Sequence, residues 1–118
     1  MNEPFGLKEK DTEKIISVLT EHPEVEEAII FGSRAKGNYK KGSDIDIALK
    51  GKLTFKIVSH ISFVLNEETA MPYRFDVLNY HTIRQKDLTE HIDRSGISFY
   101  NRSESSKKKS HNKNQEFI

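Results

Sequence analysis

The 118-residue sequence has no cysteine and no tryptophan, and only three prolines and six glycines. Without cysteine there are no disulfides, no zinc–thiolate centres and no thiol nucleophile, which suits a reducing cytosol. No apolar run approaches the ~20 residues of a membrane span, and Met1 is not followed by a signal-peptide pattern. The chain therefore reads as soluble and cytoplasmic. Neither sign of charge dominates. Nineteen basic side chains face eighteen acidic ones, a net +1. That balance excludes a globally basic nucleic-acid binder, and direct nucleic-acid binding is not expected. The length fits one small domain, so a TIM barrel or a full dinucleotide-binding enzyme is excluded.

What charge there is lies unevenly. Residues 101–118 hold Arg102, Lys107, Lys108, Lys109 and Lys113 against Glu104 and Glu116, so the first hundred residues are net acidic. The tail has no apolar residue until Phe117. It cannot bury enough surface to offset its ordering entropy, so residues 101–118 are expected to be a disordered basic tail behind a domain over residues 1–100.

Within that domain the pattern switches period several times. Asp11 or Thr12 opens a helix with Ile15, Ile16 and Leu19 on one face, and Pro23 stops it. Val25 to Phe31 is apolar and partly β-branched, a strand buried on both faces. Asp44 to Leu49 alternates, with Ile45, Ile47 and Leu49 facing inward and Asp44, Asp46 and Ala48 outward. Residues 54–67 repeat at helical spacing, and Tyr73 to Leu78 is a third strand. Thr82 and Gln85 have capping-box spacing, predicting a helix that carries Ile83, Leu88 and Ile92 inward to Gly96. Ile97, Phe99 and Tyr100 then dock on the core. The order α-β-β-α-β-α predicts an α/β (α+β) domain, a small mixed sheet with flanking helices.

The chemistry is concentrated in two short stretches. Gly32-Ser33 ends the first strand, and Asp44-Ile45-Asp46-Ile47 follows with ten residues between Ser33 and Asp44. A glycine–serine turn entering a helix offers amides and a small hydroxyl to a triphosphate. Two aspartates two apart on a strand share a face, with Cα atoms about 7 Å apart. Their carboxylates suit hard cations such as Mg²⁺, in pairs about 4 Å apart. Asp76, embedded in the apolar strand Tyr73–Leu78 and on the face of Arg74, is the candidate third acid. It is placed to bind metal and to accept a proton from an attacking hydroxyl. Lys36, Lys40 and Lys41 read as a solvated basic loop, and none of the five histidines reads as a metal ligand.

Gly32-Ser33-Arg34-Ala35-Lys36-Gly37, followed by Gly42-Ser43-Asp44-Ile45-Asp46-Ile47, resembles the nucleotidyltransferase motif of the DNA polymerase beta superfamily. At this length the chain resembles its minimal nucleotidyltransferase (MNT) group over roughly residues 10–100. The resemblance implies the polymerase beta-like fold, ATP as substrate and two Mg²⁺ ions. It implies triphosphate binding by Gly32 and Ser33, with Arg34 also touching phosphate, and metal binding and catalysis by Asp44, Asp46 and Asp76. It further implies a helical HEPN-domain partner in a toxin–antitoxin pair, with AMP transferred to a tyrosine of the HEPN toxin. No segment here would read an acceptor, so the acceptor is expected at an interface with another protein. Two alternatives stand beside this reading: a non-catalytic antitoxin that neutralises its partner by occlusion, and the donor subunit of a two-chain small-molecule transferase.

Overall fold

The computed structural model describes residues 3–102. A short 3₁₀ turn, Pro4–Gly6, leads into α1 (Glu9–Thr20). Ile15, Val18 and Leu19 form its buried face, and Glu9 and Asp11 lie in its first turn, where the helix dipole favours negative charge. β1 (Val25–Phe31) follows, then a single helical turn, α2 (Ser33–Lys36), and β2 (Ile45–Gly51). The α3 helix (Phe55–Phe63) is capped by the Thr54 hydroxyl, which accepts from the Ile57 amide, and it widens into a π-helical turn over Val64–Glu68. β3 (Phe75–Asn79), a 3₁₀ turn (Tyr80–Thr82), α4 (Lys86–Ser95) and β4 (Ile97–Asn101) complete the described chain.

The strands form one sheet in the order β3-β2-β1-β4. β1 runs antiparallel to β2 and β4, and β2 runs parallel to β3. Because side chains alternate across a strand, the sheet carries two different faces. On one, Ala28, Ile30, Ile45, Ile47, Leu49, Phe75 and Tyr100 pack against Ile15, Val18 and Leu19 of α1 and Ile61 of α3. Each of the Val, Ile, Leu and Phe side chains contributes about 1.5–3 kcal/mol of burial free energy. Ile47, fully buried at the centre, would cost about 2–5 kcal/mol as alanine.

The other face is half covered. Ile29, Phe31 and Ala48 pack with Ile92 of α4, with Leu78, Tyr80, Ile83 and Leu88 around them. Ala48 is therefore core and not part of an outward acidic face, a correction to the alternation read from sequence. In register, Ala48 lies between Ile29 and Leu78, two large neighbours that fill the space above it. The next row towards the start of β2 holds Phe31, Asp46 and Asp76. Asp46 there stays half-buried and Asp76 exposed.

Two further expectations change. The Thr82–Gln85 capping box does not form. Asn79 accepts from the His81 amide, Thr82 donates its hydroxyl to the Asn79 carbonyl, and α4 begins only at Lys86 without a side-chain cap. The local 3₁₀ turn outcompetes the box. The ordered domain also runs past Tyr100. Asn101 closes β4, and the Arg102 guanidinium donates to the carbonyls of Val25, Thr20 and His22, tying the end of the sheet to the α1–β1 turn. The rest of the expected tail, 103–118, lies outside the described residues.

Candidate active site

The site is made where β1 ends and β2 begins. The two strands are antiparallel, so the C-terminal end of β1 meets the N-terminal end of β2 although thirteen residues, 32–44, separate them in sequence. Phe31 pairs with Asp46, and Gly32 comes next. Gly32 has φ 77° and ψ −154°, a region that only glycine enters without strain. A Cβ on Gly32 would run into the Asp46 carboxylate. Glycine is thus required twice, once for the backbone and once for the carboxylate beside it. The turn continues directly into α2, with Ser33 as its first residue, and Gly37 ends it in the left-handed conformation. The first amides of such a turn have no partner inside the helix and face outward as donors.

Asp46 and Asp76 lie opposite one another on β2 and β3, and Asp44 immediately precedes β2. Burial pushes the Asp46 carboxyl up from its ordinary value, and the neighbouring Asp76 and Asp44 push it further. The environment therefore disfavours the negative charge of Asp46. A divalent cation would relieve that repulsion, and an all-carboxylate donor set suits a hard ion of the Mg²⁺ type. Among the described residues no group of three or more His, Cys, Asp or Glu side chains is placed closely enough to hold a metal ion.

Arg34 occupies a place the motif alone does not disclose. It is buried, at 3% exposure. Its Nε and Nη2 donate to the Ser43 carbonyl at 3.1 and 2.9 Å, and Nη1 donates to the Phe5 carbonyl at 2.9 Å. The guanidinium carbon lies 5.3 Å from the Tyr39 ring centroid and 5.2 Å from that of Tyr73. Tyr73 in turn donates its hydroxyl to Asp11 of α1. Three of its five N–H donors are committed to backbone carbonyls. Arg34 fixes the peptide that leads into Asp44 and pins the 37–43 loop to the N-terminal segment.

The structure thus brings Gly32, Asp46 and Asp76 together, sets Ser33 and Asp44 beside them, and holds Arg34 beneath the loop. The chain matches the polymerase beta nucleotidyltransferase family over residues 13–105. This chain belongs to that family. Its fold is the family's small mixed sheet with flanking helices, and it is a nucleotidyltransferase. No curated protein matches the sequence. Among solved structures, a chain from a toxin–antitoxin crystallised with AMP-PNP is 20% identical, with a TM-score of 0.65 over 90% of this chain and 88% of the other. A chain from the complex of a tri-AMPylated Shewanella oneidensis HEPN toxin with its MNT antitoxin is 18% identical, with a TM-score of 0.60 over 92% and 87%. A candidate nucleotidyltransferase from Sulfolobus solfataricus is 25% identical, with a TM-score of 0.53 over 80% of each chain. Among the described residues no helix is long and apolar enough to cross a membrane.

Proposed function

We propose that this nucleotidyltransferase moves AMP from ATP to a tyrosine hydroxyl of a helical HEPN-type partner and thereby acts as the antitoxin of a toxin–antitoxin pair. The observation that carries the reading is the Gly32 cradle against Asp46, with Asp76 opposite in register. A glycine turn beside a carboxylate cluster suits a polyphosphate brought in with a divalent cation. The similarity in fold to chains from complexes with AMP-PNP and with an AMPylated HEPN toxin supports ATP and the HEPN partner.

In this mechanism Gly32 lets the backbone approach the β,γ-phosphates, and the Ser33 hydroxyl and amides of the α2 turn donate to them. Asp44, Asp46 and Asp76 are the side chains that would hold Mg²⁺. When bound, the metal neutralises charge on the phosphates and the leaving group. The acceptor oxygen attacks the α-phosphorus in line, the bond to the bridging oxygen breaks, and pyrophosphate departs. Asp76, exposed at the rim, accepts the proton that the attacking hydroxyl gives up. Phe31 and the α4 side chains beneath keep the floor dry.

The test is incubation of the chain with α-labelled ATP, Mg²⁺ and a HEPN protein from the same genome. The label is then located by mass spectrometry while the toxin's activity is followed. Label on a tyrosine with loss of toxin activity supports the reading. Neutralisation at stoichiometric protein without label moves the conclusion to occlusion, and label on a small molecule moves it to a donor subunit.

A further inference from the structure

The Asp76 carboxylate has no hydrogen bond to hold it among the described residues, so the backbone of β3 alone sets where it stands. β3 is an edge strand, paired only with β2. Edge strands present a row of unpaired amides and carbonyls and are prone to fray or to pair elsewhere. Here one residue closes that row at a single point. The Phe75 amide donates to Asn66 Oδ1 at 2.8 Å, and Asn66 Nδ2 donates to the Phe75 carbonyl at 3.0 Å. The same Nδ2 donates to the Ser62 carbonyl at 3.0 Å. One amide therefore acts as the next strand would, and it does so at the residue immediately before Asp76.

Asn66 reaches this position because it lies in the π-helical turn Val64–Glu68. Such turns break the regular spacing of a helix and are frequent beside functional sites. An amide is the side-chain group that offers a donor and an acceptor in one plane, as an antiparallel strand does. Asparagine within a helix is otherwise a poor choice, because its side chain competes for the backbone. The amide also forms part of the wall of a cleft of about 460 Å³ shared with Arg74 and Asp76.

We infer that Asn66 is a positioning residue of the transfer site: by clasping both outward backbone groups of Phe75 it sets the stance of Asp76 opposite Asp46. This rests on the assignment of Asp76 to the proposed reaction. Both polar atoms of the Asn66 amide are engaged by protein backbone. Its effect reaches the chemistry through the strand.

The test is a double-mutant cycle of Asn66→Ala and Asp76→Asn, read by single-turnover transfer from α-labelled ATP to the HEPN protein from the same genome. Hydrogen exchange at the Phe75 amide is measured alongside. A misplaced catalytic group can cost on the order of 10–100-fold, so Asn66→Ala should lower the transfer rate by that much. The KM for ATP should stay within about threefold, since phosphate contacts are untouched. The Phe75 amide should exchange faster. In the Asp76→Asn background, Asn66→Ala should cause no further loss, because the two act as a unit. Losses that multiply, or an unchanged rate despite a deprotected Phe75 amide, overturn the inference. Full transfer by Asp76→Asn removes Asp76 from the site and overturns both the inference and the reading beneath it. Should Asn66→Ala not fold, Asn66→Gln keeps the amide on a longer stem. It should melt near wild type and still lose rate, and wild-type rate in that variant overturns the inference.

Discussion

Replacing Arg34 by lysine separates two jobs that the motif leaves joined. If the side chain grips phosphate, lysine keeps the charge and the loss appears in ATP affinity. If it clamps backbone, lysine keeps one bond of three. The structure supports the clamp: three donors go to the carbonyls of Ser43 and Phe5, and the group is 3% exposed between two tyrosine rings. A hydrogen bond to an ionised group contributes about 1.5–3 kcal/mol, and a buried acceptor left alone carries its desolvation cost as well. Losing two of the three, together with the flat stacking that an ammonium cannot reproduce, should cost roughly 3–6 kcal/mol. For a domain near this size a loss of that order lowers Tm by roughly 10 °C or more. The rate should fall too, because Ser43 leads directly into Asp44, while the KM for ATP moves less than about threefold. Thermal denaturation followed by circular dichroism and steady-state transfer read both. A variant that melts within a degree of wild type but needs more than ten times the ATP would refute the clamp and return Arg34 to the phosphate.

Gly32→Ala should cost about 1–3 kcal/mol from its backbone conformation alone, and should abolish transfer because the new Cβ displaces the Asp46 carboxylate; a melting curve and a label-transfer assay check both. Ser33→Ala removes one bond to an ionised phosphate, about 1.5–3 kcal/mol, or roughly 10- to 150-fold in transfer efficiency. Asp46 has a raised carboxyl pKa, so its ionised form weakens the fold: the stability it contributes is present below the ordinary value of 3.8 and is lost as pH rises through the raised one. Asp46→Asn should therefore melt higher than wild type at neutral pH without divalent cations, and the advantage should vanish as pH falls through the carboxylate range; a pH-independent difference would remove the electrostatic cause. A chain ending at Arg102 keeps the three carbonyl contacts of that side chain and one ending at Tyr100 loses them, so the shorter should melt several degrees lower.

The parts of the fold legible in the sequence are those governed by local period. Val25–Phe31 coincides with the first apolar run, and α1 is the helix that Ile15, Ile16 and Leu19 announced, stopped ahead of Pro23. The site's proximity was also legible, since a turn after one strand and two aspartates on the next must meet if the strands pair antiparallel. What sequence reading missed depends on partners far along the chain. Ile97, Phe99 and Tyr100 read only as residues docking on the core, and pairing with β1 makes Ile97–Asn101 a strand. Ala48 looked like an outward position because alternation says nothing of what covers a face, and α4 covers it. Arg34 sat inside a phosphate-binding motif, yet its acceptors are the carbonyls of Phe5 and Ser43, twenty-nine and nine residues away. Asn66 gave one faint signal, an asparagine inside a helical pattern, but its bonds to Phe75 could not be read from spacing.

The most direct test of the account is AMP transfer by Asp46→Asn. Wild type and variant, each with ATP, Mg²⁺ and the HEPN protein from the same genome, are compared by intact mass of the HEPN chain after confirming that both melt cooperatively. The account predicts AMP on the HEPN chain with wild type and none with Asp46→Asn, although the variant is folded and at least as stable. Equal modification by the two proteins would contradict it.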